Sequence, residues 1–269
     1  MVHRARLDAE LVRRGLVRSR EHAATAIAEG RVRVGGLVAT KPSTGVDPAA
    51  SVVVETGETT EYVSRGGHKL AGALDVFEAS EPPLEVESRR ALDAGASTGG
   101  FTDVLLRRGA AHVVAVDVGY GQLAWSLQND SRVTVLDRTN VRDLTPEAVG
   151  APVGLVVADL SFISLAKLVP SLRAVAAPDA DYVLMVKPQF EVGKGNVGSG
   201  GVVRDPALRA GAIEQVAAAA ATEGLGVRGL TASPLPGPAG NVEYFLWLAA
   251  GAPPLAEGDA ERAVAEGPQ

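Results

Sequence analysis

The apolar run Tyr182–Val186 ends in Lys187, with Pro188 directly behind it. A second run, Leu155–Ala158, ends in Asp159, and a late run, Tyr244–Leu248, begins directly after Glu243. A lysine leaving an apolar strand needs a carboxylate neighbour or a lowered pKa. Taken singly, each charge reads as a solvated strand end. Lys69, in "SRGGHKLAGAL" near the start of a helix, completes a set of two lysines and two carboxylates. Brought together by the fold, they would surround one point with two charges of each sign.

From about Tyr62 the chain alternates apolar runs with helical stretches, including an alanine-rich helix at Pro206–Thr222. Alternation of this kind predicts an α/β, Rossmann-like domain: a mostly parallel sheet with helices on both faces. Ligands of such open sheets bind beyond the carboxyl ends of the parallel strands, where Asp159 and Lys187 stand. An antiparallel last strand brings Glu243 to the same rim.

The turn after the first strand, in "LDAGASTGGF", reads D-x-G-x-x-x-G-G and lacks the G-x-G-x-x-G of a dinucleotide fingerprint. Gly95, Gly99 and Gly100 let the backbone approach a ligand, with Ala96, Ser97 and Thr98 between them. Asp117 ends the next strand 24 residues after Asp93, where a carboxylate accepts ribose hydroxyls. A nucleoside without a pyrophosphate fits, and NAD is disfavoured. The turn resembles motif I of S-adenosylmethionine-dependent methyltransferases. That resemblance implies S-adenosyl-L-methionine as cofactor, held by Asp93, the turn, Asp117 and Asp159. It also implies adenine contacts from Asp137 and Asn140 in "VLDRTNVRDL".

The head of the chain is basic. Residues 1–41 carry a net charge of +5 and the remainder −11, within a total of −6. A basic head on an acidic body points to an anionic partner. "RLDAELVRRGL" places Leu7, Leu11 and Val12 on one helical face and stops at Gly15. "SREHAATAIAEG" predicts a helix capped by Ser19, closed at Gly30, with Ala23, Ala26 and Ile27 inward. "RVRVGGLVATKP" alternates into a Gly35-Gly36 hairpin, and "SVVVETGE" adds a strand. This stretch resembles the α-L RNA-binding domain, whose arginines meet the RNA backbone; Arg4, Arg6, Arg18, Arg20, Arg31 and Arg33 are its candidates, and Arg65, beyond the stretch, is a further RNA-binding candidate.

The order Lys69, Asp159, Lys187, Glu243 on a methyltransferase fold resembles the FtsJ-type ribose 2′-O-methyltransferases. With the α-L domain in front, about residues 3 to 250 resemble the TlyA family of ribosomal RNA cytidine 2′-O-methyltransferases, also labelled haemolysins. The carrying motifs are "SRGGHKL", "LDAGASTGGFTDVLL", "DVGYGQLAW", "VVADLSFISL", "VKPQFEVGKG" and "SPLPGPAGNVEYFLWL". The resemblance implies that those four residues are catalytic and that ribosomal RNA in ribosomal subunits is the partner, in the large subunit and also the small one. On this reading Lys187 is the base, oriented by Asp159, while Lys69 and Glu243 hold the ribose. The expected division is an α-L domain at 1–60, a linker at 61–67, a methyltransferase domain at 68–250 and an acidic tail at 251–269. That tail has no clear apolar face and is expected to be disordered or a loose helix.

Other function classes fare worse. "ADLSF" superficially fits a base N-methyltransferase, but two lysines suit a hydroxyl better. A non-catalytic RNA-binding or ribosome-assembly factor sits badly with an intact glycine turn and a full tetrad. The chain has no cysteine and four scattered histidines, so no metal is expected. No signal-like or membrane-length apolar stretch occurs, which disfavours a membrane-lytic protein and predicts a cytoplasmic one. The sequence carries no signal for oligomeric state.

Overall fold

A computed structural model describes residues 5–17, 19–28, 32–47, 50–54 and 62–268. The chain divides into two units, Met1–Glu61 and Tyr62–Gln269. In the first, β1 (Ala5–Arg6), α1 (Leu7–Arg13) and α2 (Arg20–Ala28) precede β2 (Val32–Val34), β3 (Leu37–Val38), β4 (Gly45–Val46) and β5 (Val52–Val54). Leu7, Leu11, Ala23, Ala26, Ile27 and Val32 form its core. The Ser19 hydroxyl accepts from His22 N–H at 3.1 Å, the expected cap of α2. β3, β2 and β5 form an antiparallel sheet whose β2–β3 turn is Gly35-Gly36, both at positive φ as a tight hairpin requires. Gly30 lies outside the described residues.

The second unit opens with α3 (Arg65–Glu78), β6 (Arg90–Ala94), α4 (Gly100–Arg107), β7 (His112–Val116), α5 (Trp125–Gln128) and β8 (Val133–Leu136). It continues through α6 (Pro146–Val149), β9 (Val153–Ala158), α7 (Val169–Ala174), β10 (Ala176–Val186) and α8 (Pro188–Glu191). It closes with α9 (Pro206–Thr222), β11 (Leu225–Ala232), β12 (Tyr244–Ala250) and α10 (Asp259–Glu266). The seven strands lie in the order β11-β12-β10-β9-β6-β7-β8, parallel from β10 to β8. β12 runs antiparallel to both of its neighbours, as the placement of Glu243 requires. β11 escapes a reading by pattern because Gly226 and Gly229 interrupt it and its register shifts between Val227 and Gly229.

Side chains alternate across β10. Val183 and Met185 join Leu70, Leu74, Phe77, Phe101 and Leu105 of α3 and α4 on one face. Tyr182, Leu184 and Val186 meet Leu172, Ile213, Val216 and Val264 of α7, α9 and α10 on the other. Burial on both faces explains why the parallel strands read as continuous apolar runs.

Two boundaries differ from expectation. Residues 62–67 are no linker but part of the second unit. Tyr62 and Val63 pack on its core, Val63 N–H donates to Asp103 Oδ2 at 2.9 Å, and α3 already begins at Arg65. The segment from Gly251 is no loose tail. Ala260, Ala263 and Val264 are buried, and α10 packs on α9 and β11. Small side chains at i, i+3 and i+4 make a face too modest to read from composition.

Candidate active site

β10 stops at Val186 because Pro188, at the first position of α8, has no N–H for the ladder. Lys187 therefore projects from the sheet rim, only 9% exposed. Its Nζ contacts Asp159 Oδ1 and donates to Ser161 Oγ at 3.0 Å. Asp159 follows β9, and its N–H donates to Ala94 O at 2.9 Å, which ties it to the end of β6. Pairing of Val186 with Tyr244 puts Glu243 at the same rim. Lys69, in the second turn of α3, donates to Glu243 Oε2 at 2.5 Å, both side chains being buried.

The four residues thus form two ion pairs. Lys69, Asp159 and Lys187 line one cleft of about 260 Å³, together with Ser97, Phe101 and Ser161. Glu243 stands behind Lys69. A buried charge is costly unless it is paired, and each of these lysines has a carboxylate beside it.

Glycines of the turn serve the protein's own packing first. Gly95 sits at φ +88°, and a Cβ there would collide with the carbonyl oxygen of Asp159. A Cβ on Gly100 would come within 2.7 Å of Gly67 N, at the start of α3. Without side chains at these two points, the turn, Asp159 and the α3 helix bearing Lys69 can converge. Glycine is thus needed here for the protein's own packing, apart from any approach of a ligand.

Asp93 is fully buried beneath the turn. Thr102 Oγ1 donates to its Oδ2 at 2.7 Å, while Oδ1 is buried without a hydrogen-bond partner. Burial pushes its carboxyl up to about 7, with the Thr102 bond opposing and the charge of Asp159 adding to the shift. Asp117 accepts the N–H groups of Ser97 at 2.8 Å and Gly119 at 2.7 Å, and so braces the loop beside the turn. Asp137 accepts Gly121 N–H at 2.8 Å. Asn140 does not turn to that loop; its Oδ1 caps the short 3₁₀ turn Val141–Asp143 by accepting Arg142 N–H at 3.0 Å.

Three further side chains belong to this region and lack a sequence signal of their own: Ser161 on Lys187, Thr102 on Asp93, and Glu191. Glu191 is four residues beyond Lys187, and its carboxylate accepts Ser164 Oγ and Leu165 N–H, each at 2.6 Å. Burial raises its pKa. Lys187 and Glu191 therefore grip the two ends of the loop 159–165.

Among the candidate RNA-binding arginines, Arg65 is exposed at the edge of the cleft and donates to Pro236 O at 3.2 Å. Arg6 and Arg20 both bond Asp8, and Arg33 lies beside Gly36 O at 3.4 Å. Arg4, Arg18 and Arg31 lie outside the described residues. Among the described residues no group of His, Asp or Glu is arranged to hold a metal ion, and no helix is long and apolar enough to cross a membrane.

An FtsJ-like methyltransferase model matches residues 62–250, and an S4 domain model matches residues 5–52. The chain is 60% identical, over the full length of both, to the 16S/23S rRNA (cytidine-2′-O)-methyltransferase TlyA of Mycobacterium tuberculosis. It is 44% identical to a candidate rRNA methyltransferase of Bacillus subtilis, across 90% of this chain and 85% of that one. The solved structure of a candidate hemolysin from Streptococcus thermophilus is 36% identical, covers 99% of this chain and 96% of that one, and gives a TM-score of 0.76. With an S4 unit in front of a methyltransferase unit and full-length identity at this level, the chain belongs to the TlyA family of FtsJ-like methyltransferases.

Proposed function

We propose that this protein transfers a methyl group from S-adenosyl-L-methionine to the ribose 2′-hydroxyl of a cytidine in ribosomal RNA, acting on ribosomal subunits. The observation that carries the reading is the pair of buried lysine–carboxylate contacts, Lys187–Asp159 and Lys69–Glu243, at the sheet rim. Full-length relatedness to a protein named for that reaction supports it.

The residues present suit such a cofactor. The buried, unpartnered Oδ1 of Asp93 favours a cationic ligand above it, and Asp117 stands at the end of β7 where ribose hydroxyls are held. When bound, the cofactor supplies an already activated methyl group on a sulfonium, so the protein's task is alignment and proton transfer. Lys187 Nζ would take the proton of the ribose hydroxyl as the methyl group arrives. Asp159, in contact with that nitrogen, is the counter-ion of the ammonium produced. Ser161 fixes the direction of Nζ. Lys69, held by Glu243, donates to the ribose and sets the hydroxyl in line.

The test is transfer of labelled methyl to purified ribosomal subunits, with the modified nucleoside identified after digestion. The expected product is 2′-O-methylcytidine, absent with Lys187→Ala. A methylated base, or undiminished transfer by that variant, would overturn the proposal.

A further inference from the structure

Asp8 is an acidic residue in the middle of a basic, RNA-binding head, where charge counting makes it a defect. It is the second residue of α1 and its side chain is 7% exposed. Its two oxygens take four hydrogen bonds: Arg6 Nε at 3.1 Å and Nη2 at 2.9 Å, Arg20 Nη2 at 2.9 Å and Ala9 N–H at 2.8 Å. Four donors fill the acceptor sites of a carboxylate. The Arg6 guanidinium, and behind it Arg20, hold this carboxyl far below the usual carboxylate range, so it is ionised at any pH at which the protein works. Arg6 comes from β1 and Arg20 from α2, so one carboxylate gathers arginines from two elements. Each arginine side chain remains more than half exposed, at 54% and 60%. Arg6 spends two of its five N–H groups on Asp8 and Arg20 spends one, leaving donors for an outside acceptor.

We propose that Asp8 is a positioning residue for RNA binding: it orders Arg6 and Arg20 side by side so that both guanidiniums engage the phosphate backbone. The inference rests on the reading that this unit meets ribosomal RNA through those arginines. A flexible arginine must be immobilised at binding, and a fixed one has already lost that freedom. Glu10, 2% exposed and bonded to Arg13 and Arg14, repeats the device one helical step away.

The proposal and simple electrostatics predict opposite signs. Removing a negative charge from an RNA-binding face should tighten binding, whereas removing a positioning carboxylate should weaken it. The experiment is filter binding of the full chain to purified ribosomal subunits over a range of salt, with Asp8→Asn, Arg6→Gln/Arg20→Gln and the triple variant. Asp8→Asn is expected to weaken binding about tenfold, the cost of ordering two side chains anew, and to make the salt dependence shallower. In the Arg6→Gln/Arg20→Gln background it is expected to bring no further loss. Equal or tighter binding by Asp8→Asn overturns the proposal, and so does an equal loss in both backgrounds, which marks a role in folding alone. Should Arg6→Gln/Arg20→Gln bind like wild type, the arginines do not meet RNA and the underlying reading falls with the proposal. If Asp8→Asn does not fold, Asp8→Glu keeps the charge while displacing the carboxylate; unchanged binding then overturns the proposal.

Discussion

Replacing Asp93 by asparagine tests what burial does to the carboxyl beneath the glycine turn. Burial raises its pKa from 3.8 to about 7 in the folded protein. Between those values the folded state holds the proton and the unfolded chain releases it, so the folded state binds more protons. Stability then falls as pH rises from about 4 through about 7, and the full penalty is present above that window. A shift of about 3 units at ~1.36 kcal/mol each gives roughly 4 kcal/mol. The Asp93→Asn side chain is neutral at every pH and keeps an oxygen for the Thr102 hydroxyl. Urea unfolding of both proteins, without cofactor, at about pH 4.5 and pH 8 reads the effect. Titrating groups distant from Asp93 cancel in the difference. Because the unfolded carboxyl is already mostly ionised at about pH 4.5, the variant should gain on wild type by about 3 kcal/mol between the two pH values. Parallel pH dependence of the two proteins would refute the account of a proton held by desolvation.

Lys187→Ala should abolish methyl transfer while leaving cofactor and RNA affinity near wild type in equilibrium binding, because Asp159 is partly open to water. Glu243→Gln leaves Lys69 buried without a counter-charge and should cost about 3–5 kcal/mol in chemical denaturation, whereas Lys69→Met with Glu243→Met should recover much of that stability without activity. Gly100→Ala should lower the melting temperature and the cofactor affinity together in thermal melts with and without ligand, since the added carbon wedges α4 off α3.

Strands buried on both faces were legible because apolar runs have no polar alternation to confuse them, and Asp159, Lys187 and Glu243 were visible as charges abutting those runs. The turn was legible because Gly95 and Gly100 occupy positions that no side chain fits. What stayed hidden was pairing across long sequence distance. Nothing in "DLSFISL" says that Ser161 faces Lys187 or that Glu191 reaches back to Ser164 and Leu165. Likewise the glycines of β11 hide a strand whose place is set by β12, and the alanines of α10 hide a helix whose face is set by α9. Asn140 shows a local role that its position did not signal: its Oδ1 caps the turn that follows it.

The hydrogen bond between Lys69 and Glu243 spans 174 residues, from the first helix of its unit to the edge of the last strand. In the order of synthesis α3 and the first strands precede Glu243, so Lys69 is made well before its counter-charge. Every partial product up to that point lacks half of the candidate machinery. In the finished sheet β12 lies between β10 and β11, so this half of the site depends on the strand that is made last.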